Sequence, residues 1–227
     1  MVDVRELISV VIPAYNEEKS IGSVVTSARD FSHDVIVIDD GSTDRTAEIA
    51  RKTGATVISH QTKKGYLEAL RTGFKTVHRA ITVTMDADGQ HNPKDIPRLT
   101  KPIIQGEADL VIGARERLPS TSEKILTKLT RLRVNVSDAS SGYRAIKSSI
   151  AKKMKLKGKC TCGTFIVEAS KLGAKITEVK IETGKRKSGK TKIKKQHLIQ
   201  TLILMKEIVT YKVKPQKKHS GTSARNL

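Results

Sequence analysis

Three oxygen-bearing side chains stand two residues apart in one short stretch of the sequence: Asp86, Asp88 and Gln90. Where the backbone is extended, residues two apart point to the same side, so these side chains converge. Two converging carboxylates repel each other unless a cation lies between them. Carboxylate and amide oxygens are ligands that suit Mg²⁺ and Mn²⁺. The spacing therefore predicts a divalent-metal site that keeps open positions for the phosphate groups of a substrate.

Polar residues also follow other short apolar runs. The runs that end at Ile12, Ile38, Met85 and Ile112 are followed by three acidic loops and one arginine: 15–18, 39–44, 86–91 and Arg115. A single Asp-Gly-Ser cluster is usually only a turn. Three acidic loops and an arginine at corresponding positions favour one shared site.

The elements that must position these loops alternate between strand and helix. We predict strands over five ranges: 9–12, 34–38, 55–59, 80–85 and 108–112. Between them, apolar residues recur at helical spacing. This order is typical of an α/β protein with a mostly parallel sheet and helices on both faces. Ligands of such sheets bind beyond the carboxyl ends of the strands, where the polar loops lie.

Charge is distributed unevenly along the 227 residues. Residues 1–146 carry a net charge of +2, and residues 147–227 carry +18. The basic third suits a nucleic acid, an anionic membrane surface or a phosphorylated substrate. Composition alone does not choose among these partners, and a lysine-rich surface that is simply solvated is a fourth interpretation.

The chain divides into a domain at 1–195, a helix at 196–213 and a loose basic tail at 214–227. An apolar helical stripe marks the second part: Leu198, Ile199, Leu202, Ile203, Met205 and Val209. With basic flanks, such an amphipathic helix lies in a membrane interface or packs on the domain, and both alternatives stay open. No apolar run reaches the roughly 20 residues that span a bilayer, and no secretory signal is visible. We therefore expect a protein that is either soluble or peripheral at a membrane.

The chain contains two cysteines, Cys160 and Cys162. One intervening residue is a poor geometry for a mutual disulfide. Four soft ligands close together would be needed for a zinc site, and the sequence does not show them. We expect two reduced thiols.

Eight motifs together resemble the family 2 glycosyltransferases of GT-A fold, and among them the dolichyl-phosphate mannose synthase and polyprenyl-phosphate glycosyltransferase branch. The motifs run in order between residues 8 and 193: 11–18, 37–44, 64–74, 85–91, 113–115, 138–144, 165–168 and 186–192. The resemblance implies a Rossmann-like GT-A domain, here followed by a basic amphipathic helix.

The resemblance also implies roles for individual residues. Five would hold the nucleoside of a donor: Pro13, Tyr15, Glu17, Ile38 and Asp40. Four would form the metal and diphosphate site: Asp86, Ala87, Asp88 and Gln90. Three cations would meet the donor diphosphate or the acceptor phosphate: Arg115, Arg186 and Lys192. Ser141 and Arg144 lie in the acceptor-side motif, and the catalytic residues would be Asp88, Arg115 and Arg186.

The implied activity is an inverting, Mg²⁺- or Mn²⁺-dependent transfer of a sugar from GDP-mannose or a UDP-hexose to a polyprenyl or dolichyl phosphate. A lipid phosphate is already anionic at pH 7 and needs no general base, whereas a sugar hydroxyl does. A transferase with a soluble or polysaccharide acceptor is one alternative. A nucleic-acid-binding protein is another, but only 3% of the residues are aromatic, which leaves little for base stacking. That alternative also gives no reason for the acidic loops, so we expect no nucleic-acid partner.

Overall fold

The computed structural model describes residues 3–184 and 194–211. Seven strands are present in these ranges: β1 (Ile8–Ala14), β2 (Asp34–Asp39), β3 (Thr56–Ser59), β4 (Ile81–Thr84), β5 (Leu110–Arg115), β6 (Arg144–Lys147) and β7 (Ile176–Ile181). The helices of the same ranges are α1 (Ile21–Arg29), α2 (Thr46–Lys52), α3 (Tyr66–Thr76), α4 (Ile96–Ile104), α5 (Thr121–Thr130), α6 (Ser148–Ala151), α7 (Thr164–Lys171) and α8 (Lys194–Val209). The predicted basic tail at 214–227 lies outside the described residues.

The seven strands form one sheet in the order β3-β2-β1-β4-β6-β5-β7. Every pair is parallel except those made by β6, which runs antiparallel to both β4 and β5. The prediction of a mostly parallel sheet is confirmed. Because β1 lies between β2 and β4, the loops that follow these three strands meet at one edge of the sheet.

Each face of the sheet carries its own layer of helices. Side chains alternate along a strand, so Val10 and Ile12 pack on the face covered by α1 and α4. Val11 packs on the opposite face, which α3 and α7 cover. Gly73 lets α3 approach β1 closely, since a Cβ at that position would lie 2.4 Å from Val11 Cγ1.

The pattern of apolar runs gives no signal for β6. This strand has only four residues, and it begins with the fully buried Arg144. It inserts between β4 and β5, so Thr84 and Ile112 both pair with Arg144. The loop before β6 is thereby brought to the edge of the sheet where the polar loops lie.

A third, smaller apolar cluster joins α5, α7 and α8. It contains Leu126, Val167, Leu204 and Ile208. Ser120 caps α5 by accepting a hydrogen bond from the Glu123 N–H. Helix α8 packs one face here and leaves the predicted apolar stripe exposed, with Leu198 73%, Leu202 65% and Val209 80% accessible. No helix in the described part of the chain is long and apolar enough to cross a bilayer.

Candidate active site

The loop after β4 brings Asp86 and Asp88 to one cavity of about 480 Å³. The backbone N–H of Asp86 donates to His91 Nδ1 at 3.0 Å. Asp88 is buried, and its Oδ1 accepts from the N–H of Gln90 at 3.0 Å. Gln90 lines the same cavity. The structure therefore gathers the three side chains whose spacing predicted a metal site.

The carboxylate of Asp86 remains partly exposed to this cavity, with 37% of the side chain accessible. Tyr66 donates its hydroxyl to Asp86 Oδ1 at 3.4 Å, and His91 Nε2 lies 3.7 Å from Oδ2. A Cβ on Gly142 would lie 3.1 Å from both carboxylate oxygens. A larger residue at Gly142 would therefore crowd the carboxylate.

His91 packs against Tyr143 and stabilises the loop 86–91. Its ring is buried and stacks on Tyr143, with centroids 4.7 Å apart. Burial lowers the pKa of His91, which keeps the ring neutral and leaves Nδ1 free to accept from Asp86. Burial also raises the pKa of Tyr143, whose hydroxyl donates to the Asn92 carbonyl at 2.8 Å.

Asp40, at the end of β2, braces the loop that precedes α3. Its Oδ1 accepts from the Lys64 N–H at 2.8 Å and lies 2.9 Å from His60 Nδ1. Its Oδ2 accepts from the Gly65 N–H at 2.8 Å. Tyr66, the next residue, contacts Asp86. The residue pair 65–66 thus links the loop of Asp40 with the loop of Asp86. These two carboxylates are 46 positions apart in the sequence.

The loops after β1 and β2 are joined by side chains. Asn16 donates its N–H to Ser42 Oγ and accepts from the Thr43 N–H, both at 2.9 Å. Lys63 Nζ lies 3.5 Å from the centroid of the Tyr15 ring. Pro13 and Ile38 are buried at the ends of these strands, and Glu17 is half-buried in the first loop.

Arg115, at the end of β5, lines the cavity and holds a carboxylate beside it. Its Nε and Nη2 donate to the two oxygens of Asp138, at 2.6 and 2.9 Å. The N–H groups of Ser140 and Ser141 also donate to Asp138. Burial alone would raise the pKa of Asp138, but these hydrogen bonds hold it below its ordinary value. A carboxylate in this environment is a poor proton acceptor.

The two residues of the acceptor-side motif are placed differently. Ser141 is buried at the cavity wall. Arg144 is fully buried under Phe165, with its guanidinium carbon 4.3 Å from the ring centroid. Its Nη2 donates to Thr161 Oγ1, whereas Nε and Nη1 have no hydrogen-bond partner among the described residues.

Arg186 and Lys192 lie outside the described residues, but both ends of their segment are placed. The Gly184 N–H donates to the Gln90 carbonyl at 2.9 Å. Thr183 on one side and His197 on the other both line the cavity. Described residues on both sides of this segment therefore lie at the cavity.

Of the predicted residues, Asp86, Asp88, Gln90, Arg115 and Ser141 line one cavity. Ala87 is buried within the same loop. The sequence analysis missed His91, Glu123, Gly142 and His197, which line it as well. His91 and Gly142 stand inside the quoted motifs and were given no role. The fold brings one further soft ligand, His197, beside Cys160 and Cys162, so the described residues gather three soft ligands here rather than four.

The sheet order and the acidic loops at its carboxyl edge define an α/β protein with a ligand site beyond the ends of its strands. A family model described as glycosyl transferase family 2 matches residues 9–166. The chain belongs to this family and is a glycosyltransferase.

Two relatives show how far the likeness extends. The UDP-N-acetylglucosamine–dolichyl-phosphate N-acetylglucosaminyltransferase of Methanococcus voltae is 32% identical over 215 residues, which cover 78% of this chain and 86% of the relative. The undecaprenyl-phosphate mannosyltransferase of Micrococcus luteus is 32% identical over 212 residues, which cover 81% and 86%. Relatives of this chain thus include enzymes named for polyprenyl phosphate acceptors.

A solved structure gives the same fold. Glucosyl-3-phosphoglycerate synthase of Mycobacterium tuberculosis, in complex with Mn²⁺, UDP-glucose and glycerol 3-phosphate, aligns with a TM-score of 0.75 and 25% identity over 89% of this chain and 80% of that one. The same enzyme is also solved with Mg²⁺ and UDP. At least one enzyme of this fold therefore binds divalent metal ions.

Proposed function

We propose that this protein transfers a sugar from a nucleotide diphosphate sugar to a polyprenyl phosphate, with inversion at the anomeric carbon and with Mg²⁺ or Mn²⁺ bound. The observation that carries the proposal is the convergence of Asp86, Asp88, Gln90 and Arg115 on one cavity. Carboxylates beside a cationic side chain form the kind of site that a metal–diphosphate pair occupies.

The side chains at this cavity fit a hard divalent cation. Asp86 is partly open, and the Tyr66 hydroxyl and the His91 ring lie within 4 Å of its carboxylate. Asp86, Asp88 and Gln90 would hold the cation through oxygen atoms. When bound, it would neutralise the negative charge that the diphosphate gains as the sugar bond breaks.

The loops after β1 and β2 would hold the nucleoside. Tyr15 offers a ring, and Glu17 and Asp40 offer carboxylates, while Pro13 and Ile38 shape the floor between them. Because backbone N–H groups and side chains already connect these loops, little ordering is needed when the donor binds. Preorganisation of this kind lowers the cost of binding.

An anionic acceptor is favoured by the charges beside the cavity. A second depression of about 730 Å³ shares Arg115 and is also lined by Arg117, Lys124 and Lys180. Arg115, Arg186 and Lys192 would stabilise the phosphates, with Ser141 and Arg144 shaping the acceptor side. Asp138, the carboxylate of the acceptor-side motif, is held by Arg115 and serves poorly as a base. A phosphate nucleophile needs no base, and its direct attack on the face opposite the leaving group inverts the anomeric carbon.

The exposed apolar stripe of α8 would contact the membrane that holds a lipid acceptor. Leu198, Leu202, Met205 and Val209 are all largely accessible, and they belong to the basic third of the chain. Lysines near an anionic membrane each contribute about 1 kcal/mol of attraction. We propose peripheral attachment at the cytoplasmic face, and no nucleic-acid partner for the basic surface.

A donor and acceptor screen tests the proposal. Purified protein with Mn²⁺ is incubated with GDP-mannose or a UDP-hexose and either a short polyprenyl phosphate or glycerol 3-phosphate. We expect transfer to the lipid phosphate, and a loss of about 10²–10³-fold in Asp88→Ala, as for removal of a transition-state stabilising group. Asp30→Ala removes an exposed carboxylate elsewhere and is the matched control.

Two results would contradict parts of the proposal. Equal transfer by the native protein and Asp88→Ala would overturn the metal assignment. Transfer to glycerol 3-phosphate without transfer to the polyprenyl phosphate would overturn the acceptor and favour a soluble one.

A further inference from the structure

A cluster of soft ligands lies beside the acidic site and is separate from it. Cys160, Cys162 and His197 bring two Sγ atoms and a ring nitrogen within 4.8 Å of one another. Cys162 Sγ lies 3.8 Å from His197 Nε2. Metal–ligand lengths of about 2.3 Å for sulfur and 2.0 Å for nitrogen put two ligands of a tetrahedral zinc ion about 3.5 Å apart. The separation of 3.8 Å between Cys162 Sγ and His197 Nε2 is close to this value, and the other separations do not exceed 4.8 Å.

The loop that carries the two cysteines is held against α8 by Gln200. This buried side chain accepts from the N–H groups of Lys159 and Cys160, at 2.9 and 3.3 Å. Its amide donates to the Cys162 carbonyl at 3.2 Å and to Thr164 Oγ1 at 2.9 Å. Gln200 follows His197 by three residues on the helix. The same face of α8 therefore fixes the loop and presents the third ligand.

His197 is oriented as a ligating histidine usually is. Its Nδ1 lies 2.6 Å from Ser122 Oγ, on the neighbouring helix α5. A hydrogen bond from Nδ1 to such an oxygen leaves Nε2 unprotonated and directed at the ligand position. Nε2 is the atom that faces Cys162.

The position for a fourth ligand is reached from the cavity. His197 and Glu123 both line it. Glu123 is buried, its Oε1 lies 3.8 Å from Arg115 Nη1, and its Oε2 has no hydrogen-bond partner among the described residues. A buried carboxylate oxygen without a partner is costly unless a cation or donor satisfies it.

We propose that Cys160, Cys162 and His197 bind a soft divalent transition metal of the zinc class, with water from the cavity in the fourth position. Binding releases one proton from each thiol, and the two thiolates balance the charge of the ion. Sulfur and imidazole ligands select against Mg²⁺, whereas the oxygen ligands of Asp86 and Asp88 favour it. The two sites therefore take different metals, and the soft site would fasten α8 to the catalytic domain. The proposal does not depend on the proposed function.

The test uses Co²⁺ as a spectroscopic probe of the full chain, reduced and freed of metal. A thiolate-to-cobalt charge-transfer band can come only from these residues, because the chain has no other cysteine. We expect one equivalent of Co²⁺ to produce the band and Zn²⁺ to abolish it. Cys160→Ser and Cys162→Ser should lose it, and Ser122→Ala should weaken binding about 10–100-fold, as for other second-sphere partners.

Matched variants separate this site from the rest of the protein. Asp88→Asn should keep the band, which distinguishes the soft site from the acidic one. His78→Gln changes an exposed histidine and should keep it, whereas His197→Gln should bind Co²⁺ at least about tenfold more weakly. Zn²⁺ should raise the melting temperature of the native protein and leave that of Cys160→Ser unchanged. A native protein without the band, or a band that His197→Gln leaves intact, would overturn the proposal.

Discussion

The two ends of the candidate site are built in different ways. On the side of β1 and β2, loops are joined by short hydrogen bonds from backbone N–H groups to Asp40 and Asn16. On the side of α5, α7 and α8, a small apolar cluster and a few buried polar groups hold one helix against the domain. Residues 1–146, which include β1 and β2, carry a net charge of +2, and residues 147–227, which include α7 and α8, carry +18.

The difference shows which side of the site is fixed by the sheet. Loops that follow neighbouring strands have their first residues held by the hydrogen bonds of the sheet, so the strands restrict where these loops lie. Helix α8 depends instead on Leu204, Ile208 and Gln200 on one face, and its other face is apolar and accessible. Three variants test whether the two sides differ in this way.

The largest effect is expected from Asp40→Ala, on the side of the sheet. The change leaves the N–H groups of Lys64 and Gly65 without their acceptor in a buried setting. An unsatisfied buried donor costs about 1–3 kcal/mol, so we expect a loss of about 3 kcal/mol in the free energy of unfolding. Urea unfolding measures it. Asp30→Ala, an exposed change, should stay within about 0.5 kcal/mol, and equal values for the two would show that Asp40 does not brace the loop.

A smaller effect is expected from Gln200→Ala, on the side of α8. The variant removes the acceptor for two N–H groups of the cysteine loop, and we expect a loss of about 2 kcal/mol. The loss should be local, with faster amide exchange in α8 and unchanged exchange in β1 and β2. Gln105→Ala, at an exposed glutamine, is the control. Faster exchange throughout the sheet would mean that the two sides are not independent.

The smallest effect is expected from Leu202→Asp, on the accessible face of α8. Stability should change by no more than about 0.5 kcal/mol, because this residue is 65% accessible. Binding to anionic vesicles should weaken by about tenfold, since burying one leucine is worth about 1.5–3 kcal/mol. Val4→Asp, at an exposed position in the amino-terminal half, should bind as the native protein does. Equal sedimentation of both variants with vesicles would rule out this face as the membrane contact.

The sequence predicted the sheet side of the molecule closely. The ranges expected for the first five strands fall within or beside β1 to β5, because uninterrupted apolar runs and abrupt polar loops mark buried parallel strands. The three acidic loops were also placed correctly at one edge. Asp86 and Asp88 both line the cavity, but Ala87 and Asp88 form a turn and not the extended backbone from which their convergence was predicted.

The other side was predicted less well, for identifiable reasons. Strand β6 begins with Arg144, whose burial under Phe165 no charge pattern reveals. His197 lies 35 residues after Cys162, so their contact depends on the packing of α8 and not on local spacing. The apolar stripe of α8 was recognised, but only the structure shows that it is the other face of the helix that packs.

The residue pair 65–66 has a consequence for anyone who redesigns this enzyme. The Gly65 N–H donates a hydrogen bond to Asp40, and the Tyr66 hydroxyl donates one to Asp86. A substitution chosen to alter what the first loop recognises would also shift the group that positions the second. Substitutions at residues 65–66 should therefore change selectivity and turnover together. A variant library that changes only one of the two loops would contain fewer active combinations than a library that changes both loops along with Tyr66.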